Sequence, residues 1–106
     1  MILGALRLTF IIPPDGKSTH SAAHKIKDRI WSKFKIAASE IPSGSTNQLV
    51  IGGALVDHDE ARIRDRMDQV IKHLNNWGSV ELVNDEIEVI HFDDLELERD
   101  FEKYEP

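Results

Sequence analysis

His20 and His24 stand four residues apart, a spacing that puts two imidazoles on one side of a helix, where they can share a metal ion. The residues between them are Ser21, Ala22 and Ala23. The glutamate that supplies the general base in the two-histidine metalloprotease pattern is therefore missing. A third ligand would have to come from Asp57, His58 or Asp59. The pair reads as solvated histidines, with a metal-dependent activity at His20 and His24 kept as an alternative. Asp57, Asp59 and Glu60 stand where a helix should start, and its orphan amides and dipole attract carboxylates without any metal. Their spacing does not fit a calcium-binding EF-hand loop. Ser, His and Asp are all present, but no Gly-x-Ser-x-Gly elbow presents a nucleophile. Gly52-Gly53 lies inside a strand-type run, not at a strand-to-helix turn, so it cannot cradle a phosphate. The chain has no cysteine, which removes thiolate catalysis, disulfides and Cys-based metal sites. No catalytic residue, metal or cofactor is expected from these patterns, and a non-catalytic protein is the reading they favour.

The second kind of chemistry is electrostatic. The formal charge of the 106 residues is −6, but its distribution is uneven. From Asp15 to Lys35 there are six bases, Lys17, Lys25, Lys27, Arg29, Lys33 and Lys35, against two acids. From Asp93 to Pro106 there are seven acids and two bases. The basic set can contact phosphates, which makes an RNA- or ribosome-associated factor the main alternative function. The other half of an RNA reader, aromatics on the central strands of an open sheet, is missing.

The elements that must carry these residues follow from hydrophobic period. Ile2–Ile12 alternates, with Leu6, Leu8, Phe10 and Ile12 on one face and Leu3, Ala5, Arg7, Thr9 and Ile11 on the other. Its first residues have no basic region and its apolar run is broken by Arg7, so it reads as a strand, not as a signal peptide or membrane span. Pro13-Pro14-Asp15-Gly16 ends it. Ser18–Phe34 has helical period: Ala23, Ile26, Ile30 and Phe34 form the core stripe, His20, His24, Lys27 and Trp31 line one flank, and Ser18 or Thr19 is the expected N-cap. Ile36–Ile41 stops at Pro42 like an edge strand. Leu49–Val56 is apolar on both faces and reads as central. Asp57 with Glu60 resembles a capping box before the second helix, Arg62–Trp77, and Gly78 takes the position of a C-terminal cap. Val80–Ile90 is the last strand, with a bulge or turn expected at Asn84-Asp85-Glu86.

Strand, helix, strand, strand, helix, strand is the split βαβ arrangement. The expected fold is α+β and ferredoxin-like. It has a four-stranded antiparallel sheet in order 4-1-3-2 and both helices on one face. Residues 1–91 form the domain, and 92–106 form an acidic tail, either disordered or a short helix. The bare face would then expose Leu3, Ala5, Ile11 and half of Leu49–Val56. So much exposed apolar surface needs a cover. That points to a homo-oligomer, another protein or the tail, with Trp31 as a second contact, and to a binding or assembly module that self-associates through its sheet.

Four stretches resemble a known family: MILGALRLTF, KIKDRIWSKFKIAASEI, LVIGGALVDHDEARIRDRMDQVIKHL and WGSVELVNDEIEVI. Together they resemble the YlxP-like family of small bacterial proteins, a domain of unknown function. The resemblance runs over residues 1–91. It implies the same ferredoxin-like fold and a bacterial, cytoplasmic protein, and it implies no reaction. Members typically open the first helix with a basic cluster of the type Ser-Leu-Lys-Glu-Lys-Arg. Here the stretch is Asp15-Gly16-Lys17-Ser18-Thr19-His20, and only Lys17 keeps that character.

Overall fold

A computed structural model of the chain describes residues 1–12, 18–45 and 47–92, the side chains of Ser18 and Thr19 excepted. The elements are β1 (Ile2–Ile11), α1 (Ser18–Phe34), β2 (Ala37–Ile41), β3 (Gln48–Asp57), α2 (Glu60–Asn76) and β4 (Glu81–His91). The four strands form one antiparallel sheet in the order β2-β3-β1-β4. This is the ferredoxin-like α+β arrangement that the order of periods implies. The proline turn 13–16, Lys17, the expected N-cap at Ser18 or Thr19, and the tail from Asp93 lie outside what is described.

The core lies on one side of the sheet. Ile2, Leu6, Leu8, Phe10 and Ile12 from the β1 segment are buried with Leu49, Ile51 and Leu55 of β3. Ala23, Ile26 and Ile30 of α1 and Ile63, Met67, Val70 and Leu74 of α2 close over them, so both helices cover the same face. Each aliphatic side chain buried this way contributes about 1.5–3 kcal/mol. Gly4, in the same alternation, lies directly under α2. A Cβ there would lie 2.4 Å from Ile63 Cγ2 and 2.7 Å from Met67 Cε.

The helix ends differ from the sequence reading in two places, the caps of α2. The N-cap of α2 is Asp59, not Asp57: its Oδ1 accepts from the Ala61 amide at 3.0 Å. Asp57 sits at the end of β3, where its Oδ1 accepts from the amides of His58 and Asp59 and turns the chain before the helix. Gly78 is not a left-handed cap, because α2 ends on Trp77 in an extended conformation, its amide donating to Leu74 O at 3.3 Å. The left-handed residue is Lys35, φ 57°, which ends α1 with its amide donating to Trp31 O at 2.9 Å. The irregularity of the last strand falls beside its expected place. Thr9 pairs with Asn84 and Phe10 with Leu82, which leaves Val83 as the extra residue of a bulge. Among the described residues β4 pairs with β1 as its one strand neighbour.

Candidate functional site

The face away from the helices is built from rows of residues set by the strand register. Ala37, Ala54, Ala5 and Glu88 make one row, and Ser39, Gly52, Arg7 and Glu86 the next. Small side chains in both rows leave a shallow groove of about 720 Å³ across the sheet. Arg7 and Glu86 form an ion pair at its β4 side. Ile41 lies over Gly52 on the β2 side, since a Cβ added to Gly52 would meet Ile41 Cδ1 at 2.6 Å. Toward the two ends of the face the residues become apolar. Ile11, Ile41, Val56 and Ile90 are 39–57% exposed, and Leu3, Ala5 and Val50 are half-buried.

Of the residues expected bare on this face, Ile11 is exposed whereas Leu3 and Ala5 are half-buried, and the middle of the face differs. Arg7, Glu86 and Glu88 make the centre polar, and Glu81, opposite Ile11, adds a further acid. Alternation on β1 alone shows Arg7 but not its partner. Glu86 reaches it because β4 lies beside β1, a neighbour 79 residues away in sequence.

The bases of α1 do not form one surface. Arg29 stacks 4.7 Å above the Trp77 ring and Lys33 lies near His73, both toward α2. Lys25 borders a separate cleft between α1 and Val80. On the opposite flank Lys27, His24, Asp28 and Trp31 line a shallow groove with Ala37 and Ala38 of β2. Lys35 Nζ sits 5.4 Å from the centre of the Trp31 ring. Trp31 itself is 55% exposed. Lys17 lies outside the described residues.

His20 and His24 are exposed, and His24 Nε2 faces Asp28 Oδ2 at 3.2 Å. Among the described residues no three His, Asp or Glu side chains come together as a metal-binding group. The carboxylates before α2 serve the backbone and neighbouring cations. Burial pushes the Asp57 pKa up, but the amides of His58 and Asp59 and the positive Arg62 and His58 outweigh it and hold the group below its ordinary 3.8. Glu60 Oε1 contacts His91 Nε2 at 2.6 Å and Oε2 accepts from Arg64 at 3.0 Å; together they hold its pKa below 4.5.

Sequence reasoning did not single out His73. Its Nε2 is buried without a hydrogen-bond partner among the described residues, and its ring meets Phe34 edge-on at 5.6 Å. Burial, with the nearby charges of Lys33 and Arg29, holds its pKa below the ordinary 6.5.

Among the described residues no helix is long and apolar enough to cross a membrane. Searching solved structures gives likeness of fold alone. A VAO-type flavoprotein from Myceliophthora thermophila C1 matches with TM-score 0.52 and 16% identity over 84% of this chain, which spans only 16% of the flavoprotein. Rv0793 from Mycobacterium tuberculosis matches with TM-score 0.50 and 13% identity, over 87% of this chain and 96% of that one. SnoaB, a cofactor-independent oxygenase from Streptomyces nogalater, matches with TM-score 0.49 and 14% identity, over 88% and 93%. No match was found among curated proteins. The model of one sequence family matches residues 17–87, from the start of α1 through most of β4. The chain belongs to that family, the proteins of unknown function called DUF503.

Proposed function

We propose that this chain is a non-catalytic assembly module of the YlxP-like type, working in the bacterial cytoplasm, and that its open sheet face seats a second copy of itself. The observation that carries this reading is the exposed apolar set Ile11, Ile41, Val56 and Ile90 around a groove floored by small residues. In a monomer that surface stays in water at a cost of about 25 cal/mol per Å². The face spans roughly 33 Å along a ten-residue strand and 19 Å across four strands, about 600 Å² of plane. Side-chain relief brings that near the roughly 800 Å² per partner of a stable interface. A symmetric pair presents the same patch twice, so one apolar surface is enough to make the contact.

The test is sedimentation equilibrium from about 1 μM to about 1 mM, the range over which a free energy of roughly −8 to −4 kcal/mol becomes visible. A concentration-dependent dimer is expected. Ala54→Arg places a charge on the exposed groove floor, away from the core, and should dissociate it while leaving the far-ultraviolet spectrum unchanged. A monomer over the whole range overturns the reading.

A further inference from the structure

We infer that the second copy sits on a two-fold axis running along the strands between β3 and β1, so that β4 of each copy lies over β2 of the other. This rests on the self-association proposed above and adds its geometry. Two observations carry it, one of shape and one of charge.

The long side chains of the open face stand on one half of it. Arg7 and Glu86 project as an ion pair from β1 and β4, with Glu88 in the next row. The other half is low, because Ala37 and Ser39 of β2 lie beside Ala54 and Gly52 of β3. These small residues floor the groove of about 720 Å³. The face therefore presents a ridge and a hollow side by side, at the same level of the sheet. Sheets stacked face to face lie about 10 Å apart. Such a gap is close-packed where a long side chain faces a short one.

A rotation about an axis along the strands lays each row on its own reverse. Ala37, Ala54, Ala5 and Glu88 then meet the same row running the other way. Ridge falls on hollow twice: Arg7 over the partner's Gly52, Glu86 over the partner's Ser39, and Glu88 over the partner's Ala37. Ile41, which leans over Gly52, walls the hollow on its β2 side. Aligned sheets cross at about 30°, so the match is best in these two central rows. An axis across the strands between the same rows lays β4 on β4 instead. Glu86 then meets the partner's Glu88 in an overfull gap, and Gly52 meets the partner's Ala54 across an empty one.

Charge selects the same axis. Among the described residues Arg7 is the one cation of this face, and its acids, Glu81, Glu86 and Glu88, all stand on β4. Stacking β4 on β4 gathers the three carboxylates of each copy against one guanidinium from each. Stacking β4 on β2 sets them over Ala37, Ser39 and Ile41, which carry no charge. The carboxylates then stand at the rim, within reach of water. The Arg7–Glu86 pair enters already neutralised, which spares the cost of covering a lone charge. The Ser39 hydroxyl is placed to donate to the partner's Glu86.

The chain has no native cysteine, so single thiols can report the arrangement. Chains carrying Ser39→Cys are mixed with chains carrying Glu86→Cys and treated with a short bismaleimide, since facing sheets hold opposed thiols beyond disulfide reach. Mass spectrometry should find position 39 linked to position 86 in excess over either same-site link. A second measurement needs no thiol. In sedimentation Ser39→Glu should raise the dimer Kd roughly tenfold, by meeting the partner's Glu86, and Ser39→Lys should lower it. A dimer in which Glu86→Cys links instead to Glu88→Cys, or in which 39 and 86 do not link above the same-site level, overturns the arrangement and leaves self-association standing. So does a Kd that Ser39→Glu and Ser39→Lys shift alike or not at all. A parent chain that stays monomeric to about 1 mM overturns both.

Discussion

Replacing Gly4 by alanine tests how the helix layer rests on the sheet. The added Cβ would sit 2.4 Å from Ile63 Cγ2 and 2.7 Å from Met67 Cε, both well inside contact distance. Met67 Cε ends a flexible chain and can swing away. Ile63 Cγ2 cannot, because a β-branched side chain in a helix has one strongly preferred rotamer. Either Ile63 leaves that rotamer or α2 lifts from β1, an overpacking cost of about 1–3 kcal/mol. Loss of glycine from the unfolded chain returns about 0.4–1 kcal/mol. The net destabilisation should be about 1–2 kcal/mol, with Tm lower by roughly 4–8 °C for each kcal/mol in a domain of this size. The control is Gly52→Ala on the opposite face, where the one close clash of the new Cβ is with Ile41 Cδ1, the end of a 40% exposed side chain that can turn aside, while Ile41 Cγ1 at 3.4 Å and Leu6 O at 3.9 Å are tight to ordinary contacts. That variant should stay within about 0.5 kcal/mol of the parent. Urea unfolding of both, followed by circular dichroism, measures the contrast. Equal stabilities for the two variants would refute the placement of α2 directly over Gly4.

Other consequences can be measured with the same unfolding assay. The depressed pKa of His73 means that the unfolded chain takes up a proton the folded chain resists, so stability is full above about pH 6.5 and falls as pH drops below it. His73→Phe, edge-on to Phe34, should flatten that part of the pH profile; an unchanged slope would rule His73 out as its source. Glu60 and Asp57 have folded pKa values below their ordinary 4.5 and 3.8, so their stabilisation is present above those values and lost as pH falls below them. Glu60→Gln should blunt the loss below pH 4.5. Asp59→Ala removes the acceptor for the Ala61 amide and should cost about 1 kcal/mol, whereas Asp57→Ala should leave the helix cap intact.

Most of the architecture was legible because two periods carry it. Leu6, Leu8 and Phe10 alternate, Ile63, Met67, Val70 and Leu74 recur at helical spacing, and that order admits few topologies. Local backbone choices were less legible. Asp57 and Asp59 are chemically equal candidates for a cap, and two turn amides engage the first of them. Gly78 looks like a helix stop, but Trp77 ends α2 by staying extended, and a lysine, not a glycine, takes the left-handed position after α1. The surface chemistry needed the third dimension. Six bases within twenty-one residues look like one cluster on paper. Helical rotation sends Arg29 and Lys33 toward Trp77 and His73, and Lys27 and Lys35 toward Trp31. The Arg7–Glu86 pair depends on which strand lies beside β1, which no local pattern records.

The rim of β4 that has no strand neighbour among the described residues bears on how the molecule behaves in crowded solution. Glu81, Asp85, Glu86 and Glu88 all lie on this strand, with no lysine or arginine among them. Ribbons growing strand to strand would align those carboxylates with each new arrival, so repulsion guards the rim at neutral pH. Exchanging these acids for their amides removes the guard, and filament growth from the rim should then compete with refolding.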